Sequence, residues 1–181
     1  MKKQVLFIQG GGDNGYEADT KMVDSLKNAL GNDYEVNYPK LQSDERVSDF
    51  GWPGQIGKEI QHSQQDLIVV GHSLGASLIL KYLSETKIEK KISGIFLIAT
   101  AWWSGDEDWV QGLKLRTDFP GKLPSDIPLF LYHSMDDEEV PFEHLALYRQ
   151  KLPQAIVREI KKGGHQFNND LKLVATDIKN L

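Results

Sequence analysis

Asp66-Leu67-Ile68-Val69-Val70-Gly71-His72-Ser73-Leu74-Gly75-Ala76-Ser77-Leu78-Ile79-Leu80-Lys81-Tyr82-Leu83 is the stretch that decides the fold. Its first five residues, Asp66 to Val70, make a short run that after the aspartate is apolar and mostly β-branched, in the way of a buried parallel strand. From Ala76 to Leu83 the chain is rich in helix formers and long enough for a helix packed on a sheet. Between the two stands a serine flanked by glycines, the pattern of a nucleophile elbow. The reason for the pattern is steric. A serine held in a strained conformation exposes its Oγ, and neighbouring chain then comes too close for a Cβ two residues before or two after. The pentapeptide alone is weak, since roughly one chance match in twelve chains of this composition is expected. Its weight rests on the remaining strand ends.

Outward from this stretch, strands and helices alternate. Val5–Ile8 is expected as the first strand, and Ala18, Met22, Leu26 and Leu30 mark one face of the first helix, ended by Gly31-Asn32. Strands are further expected at Tyr34–Tyr38, Ile92–Ala99, Ile127–Tyr132 and Ala155–Ile160. Helices are expected from Pro53 toward His62, at Phe142–Leu152 and at Asn168–Asn180, with loop from Pro39 to Gly51. This order predicts the α/β class: one three-layer domain over residues 1–181, a mostly parallel sheet of about six strands, helices on both faces and no separate lid domain. In such sheets ligands bind beyond the carboxyl ends of the strands.

Every candidate for chemistry falls at such an end. Gly10-Gly11-Gly12 follows the first strand, Ser73 the third, Asp136-Asp137 the fifth and Gly163-Gly164-His165 the sixth. Acyl transfer by serine needs a nucleophile, a base, an acid to orient the base, and donors for the oxyanion. Ser73 fits the first role. Of the five histidines, His165 fits the second, standing after the last strand behind two glycines. His144 is expected as an exposed helical residue, His133 ends strand five, His62 falls in the second helix, and His72 should point away from the nucleophile. Asp136 and Asp137 compete for the acid, within a run Asp136-Asp137-Glu138-Glu139 whose charges are otherwise expected to be solvated. Local order favours Asp137, three residues before Val140, where Val140-Pro141 turns into the next helix. The oxyanion donors are expected to be the backbone N–H of Leu74, at the positive start of its helix, and that of Gly11, with Gly12 as the alternative.

Composition narrows the partners. The 181 residues fit one domain able to bury about 70% of its unfolded surface. A net charge of -5 argues against nucleic acid or an anionic membrane as the main partner. With no cysteine there are neither disulfides nor thiolate metal sites. No EF-hand or histidine-pair spacing suggests a metal, and no cofactor is expected. The apolar run after Lys3 is too short for a signal peptide, and no run approaches membrane-spanning length, so a cytoplasmic location is expected.

Gly71-His72-Ser73-Leu74-Gly75-Ala76, Asp137 before Val140-Pro141, and Gly164-His165-Gln166-Phe167 together resemble the α/β-hydrolase superfamily. In length the chain is similar to its small lidless serine hydrolases, the group of retinoblastoma-binding protein nine and YdeN. The resemblance implies esterase-type chemistry, carboxylester or thioester, on a compact sheet lacking two leading strands. It also implies a Ser73, Asp137, His165 triad in the order serine, acid, histidine. Where many relatives have histidine-glycine after strand one, this chain has Gln9-Gly10. Two other readings compete. Gly10-Gly11-Gly12-Asp13-Asn14-Gly15 matches the dinucleotide fingerprint, yet strand two ends Val36-Asn37-Tyr38-Pro39, without the expected acid. A hydrolase fold acting mainly through protein interaction is the second. The substrate is expected to be a small or short-chain acyl compound, with Trp102 and Trp103 as candidate pocket walls. Both belong to an aromatic stretch after strand four that also holds Trp109 and Phe119.

Overall fold

A computed structural model describes residues 2–105 and 108–181, with backbone alone at 108–110. In chain order the elements are β1 (Lys3–Ile8), α1 (Gly15–Leu30), β2 (Tyr34–Asn37), α2 (Trp52–His62), β3 (Leu67–His72), α3 (Ser73–Glu85), β4 (Ile92–Ile98), β5 (Leu129–Ser134), α4 (Glu143–Lys151), β6 (Ile156–Ile160) and α5 (Lys172–Lys179). The six strands form one all-parallel sheet in the order β2-β1-β3-β4-β5-β6. This is the α/β architecture expected from the alternation of elements.

Side-chain alternation along the strands builds a core on each face. Leu6, Ile8, Leu67, Val69, Ile95, Leu97, Leu129 and Leu131 point to one side, where residues of α2, α3 and α4 cover them. Val5, Phe7, Ile68, Val70, Phe96, Ile98, Phe130 and Tyr132 point to the other, under α1 and α5. Every residue of β3 is buried, as a central parallel strand requires. Burying a large apolar side chain contributes roughly 1.5–3 kcal/mol, so these two layers carry most of the drive to fold. Among the described residues no helix is long and apolar enough to cross a membrane.

The strand order also locates the site. The chain runs outward from β1 to β2, then returns to lay β3 on the other side of β1, with Ile8 opposite Gly71. The β1–β3 boundary is therefore a topological switch point, where the loops leaving the two carboxyl ends diverge and leave a crevice.

Three local expectations are corrected. On α1 the inward stripe is Gly15, Asp19, Met22, Val23, Leu26 and Leu30, while Ala18 is exposed. Stepping back three and four residues from Met22 and Val23 lands on Asp19, so an acid occupies the inward position. Helix α3 begins at Ser73, three residues earlier than Ala76. The last helix begins only at Lys172, because Phe167, Asn168 and Asn169 take left-handed backbone (φ 51, 51 and 55°) in a 3₁₀ turn. Asparagine tolerates that region better than most residues, and the turn delays the helix.

Candidate active site

Ser73 is half-buried at the junction of β3 and α3, with φ of 51°. A non-glycine residue held there costs of order 1–3 kcal/mol. The flanking glycines are explained by direct collision. A Cβ on Gly75 would run into the Gln9 carbonyl oxygen and meet Ile8 O at 2.9 Å. On Gly71 it would strike Ile79 Cδ1 and meet the Ala76 Cα at 2.9 Å. The obstacles include backbone, which cannot rotate aside, so the turn exists only with glycine at both positions.

The loops after β5 and β6 are adjacent because those strands pair in register. Asp136, Glu138 and Glu139 are exposed, as expected of a solvated run, yet three of its four carboxylates also bind the histidine loop. Asp136 Oδ1 accepts the Gly163 and Gly164 N–H groups, both at 2.9 Å, and the Ser134 hydroxyl at 2.6 Å. Glu138 accepts the His165 N–H at 3.1 Å. Asp137 receives the His165 ring: Nδ1 lies 3.0 Å from each carboxylate oxygen. The Asp137 carboxylate also accepts the Glu139 and Val140 N–H groups, at 2.9 and 2.8 Å, and lies 3.3 Å from His133 Nε2. His133 itself donates from Nε2 to the Val140 carbonyl at 3.0 Å.

These contacts tune both groups. Burial pushes the Asp137 carboxyl up, but the bonds from His133, His165, Val140 and Glu139 prevail and hold it well below the usual carboxylate range. Burial pushes the His165 imidazole down, but its bond to Asp137 and the charges of Asp137, Glu139 and Asp19 raise it above its ordinary value. Asp136 is lowered to about 2 by the Ser134 hydroxyl and the two glycine N–H groups.

Ser73, His165, Gly11 and Leu74 all line one cavity of about 530 Å³ at the β1–β3 crevice. Phe50, Trp103, Leu113 and Val140 give it apolar wall, and Glu139 stands at it with Oε2 3.6 Å from His165 Nε2. Gly12 lines it as well. Trp102 lies behind the wall, edge-on to Tyr148 at 5.0 Å and to Phe119 at 6.4 Å. Together Trp102 and Trp103 line a smaller neighbouring pocket of about 260 Å³. The Trp109 side chain lies outside the described residues.

Two buried polar residues at this cavity went unnoticed as site residues in the sequence: Asp19, whose position on the apolar stripe of α1 was the available signal, and His72. His144 is half-buried rather than exposed, because its Nδ1 accepts the Trp102 N–H at 3.0 Å and fixes the loop after β4. His62 is exposed at the end of α2.

The same architecture recurs among solved structures. SOBER1 of Arabidopsis thaliana superposes with a TM-score of 0.68 at 17% identity, covering 99% of each chain. The ydeN gene product of B. subtilis gives 0.67 at 19% identity, covering 99% of this chain and 98% of that one. Est1E from Butyrivibrio proteoclasticus gives 0.69 at 16% identity, covering 99% and 86%. No curated protein matches the chain in sequence. At these identities the likeness speaks for the α/β-hydrolase fold, and the assignment of chemistry comes from the sequence itself. The family model described as serine hydrolase matches residues 18–171, from α1 to the turn before α5, and on that match the chain belongs to the serine hydrolase family.

Proposed function

We propose that the protein is an esterase-type serine hydrolase that cleaves small or short-chain acyl esters or thioesters through a covalent acyl-enzyme, using residues 1–181 as one hydrolase domain without a separate lid. Ser73 Oγ attacks the acyl carbonyl while His165 takes its proton, and Asp137 holds the imidazole and stabilises the imidazolium. The Gly11 and Leu74 N–H groups receive the developing oxyanion. His165 then returns the proton to the leaving group. Water repeats the sequence on the acyl-enzyme and frees Ser73.

One observation carries this reading. The strained Ser73 and the Asp137-bound His165 line the same cavity, at the sheet's switch point. The volume of that cavity, with Trp103 in its wall, supports a short acyl group. A fluorophosphonate probe tests the chemistry: folded wild type should be labelled and Ser73→Ala should not. Ser73→Ala should also lose hydrolysis of short acyl esters by up to about 10⁶-fold. Absence of labelling in folded wild type sinks the reading. Rates that keep rising beyond about eight acyl carbons sink the substrate class alone.

A further inference from the structure

The mechanism above uses neither Asp19 nor His72, although both lie wholly inside the protein at the cavity, 0% and 1% exposed. Asp19 reaches from α1 to the loop after β1, where its Oδ2 accepts the Gly10 N–H at 2.7 Å. His72, the last residue of β3, places Nδ1 2.9 and 3.0 Å from the two Asp19 oxygens. Its other ring nitrogen, Nε2, lies 3.1 Å from the His165 carbonyl oxygen. A carbonyl only accepts, so Nε2 carries a hydrogen and donates it. The proton between Nδ1 and Asp19 is then shared by the pair. Asp19 Oδ1 has no partner in hydrogen-bonding geometry among the described residues, which a buried carboxylate tolerates only beside a cation or a shared proton.

Stability does not account for such a pair, because apolar residues of the same volume would often serve as well or better. Placement does. Through two bonds the pair, whose histidine immediately precedes Ser73, joins the main chain beside Gly11 to the main chain of His165. A Cβ on Gly10 would already meet His72 Nδ1 at 3.0 Å, so these segments are packed at contact. We propose that Asp19 and His72 are positioning residues, a second aspartate–histidine pair that aims the oxyanion loop and the His165 loop at Ser73. The proposal rests on the hydrolase reading. It predicts a loss in kcat rather than KM, because misaimed donors weaken binding of the transition state and not of the ground state.

The experiment compares wild type, Asp19→Asn, His72→Gln and His72→Ala on one short acyl ester, with near-ultraviolet circular dichroism to confirm folding and ¹⁵N spectra of the wild-type histidines. Folded Asp19→Asn and His72→Ala should each lose about 10–100-fold in kcat, with KM held within about threefold. His72→Gln, whose amide can still donate to the His165 carbonyl, should recover part of that loss. Wild-type kcat in folded Asp19→Asn and His72→Ala would overturn the proposal, as would a loss confined to KM. If the variants fail to fold, the spectra decide: a protonated His72 Nε2 supports the pair, and a bare one overturns it. A wild type that ignores fluorophosphonate defeats the hydrolase reading instead, while the ¹⁵N result still judges the pair.

Discussion

His165 Nδ1 stands equidistant from the two carboxylate oxygens of Asp137, at 3.0 Å from each. The neighbouring Asp136 spends its carboxylate on the Gly163 and Gly164 N–H groups and never reaches the ring. The two acids therefore hold different parts of one loop. Asp137→Asn replaces an acceptor oxygen with a donor and favours the wrong imidazole tautomer, so kcat should fall by about 10⁴-fold. Asp136→Asn only slackens the loop and should cost about tenfold. Steady-state rates on one ester decide, and a larger loss at Asp136 would reverse the assignment.

Glu139 sets the next expectation, through its carboxylate 3.6 Å from His165 Nε2. As the base of the proposed mechanism His165 must be neutral, so kcat/KM should rise with pH through its pKa. Burial pushes that pKa down, but Asp137 first and then the charge of Glu139 outweigh burial and hold it above the ordinary value. Removing the charge in Glu139→Gln lowers the pKa, so the acid limb of the kcat/KM profile should move to lower pH. Because Glu139 is largely exposed, added salt should shrink the difference between the two proteins. Superimposable profiles at low salt would defeat this.

Much of this arrangement was legible in the sequence, for identifiable reasons. Strands such as Leu67–Val70 are unbroken apolar runs, and turn chemistry at Gly71–Gly75 and Gly163–Gly164 marks where they end. Other features depend on neighbours that no local pattern encodes. The acidic run is solvated as it reads, with Asp136, Glu138 and Glu139 exposed, but its hold on the histidine loop shows only once β5 and β6 are known to lie side by side. Asp19 is inward by the period that Met22 and Val23 set, which a stripe drawn through Ala18 passes over, but its bond to the Gly10 N–H follows only from the docking of α1 against the β1 loop. Trp102 and Trp103 are adjacent and chemically identical, yet the His144 and Tyr148 contacts of the first separate it from the cavity.

Two glycines in helices make a matched stability test. Gly75 has no room for a methyl group, with Gln9 and Ile8 backbone oxygens in the way, so Gly75→Ala should lose about 1–3 kcal/mol. Gly54, exposed in the first turn of α2, has nothing within 4 Å of an added Cβ. There alanine reduces the entropy lost on folding, and Gly54→Ala should gain about 0.5 kcal/mol. Urea unfolding midpoints at constant m-value report both signs. A stable Gly75→Ala would mean that the elbow moves more freely than its packing implies.

Far from the cavity, Asp177 on α5 accepts the Tyr132 hydroxyl at 2.7 Å and the Arg158 guanidinium at 2.9 and 3.1 Å. The Arg158 bond, with that of Tyr132, outweighs burial and holds the Asp177 carboxyl below its usual value. A depressed native pKa stabilises the fold above the unfolded value of about 3.9, and that contribution disappears as pH falls through the native pKa. Asp177→Asn should therefore cost about 1.5 kcal/mol at pH 7, where the charge-assisted bonds to Tyr132 and Arg158 are intact. The gap between wild type and variant should narrow from pH 5 downward, as wild type loses what the variant never had. Urea unfolding at pH 7, 5 and 3 measures it. A gap that stays constant over that range would show that Asp177 acts through packing and not through its charge.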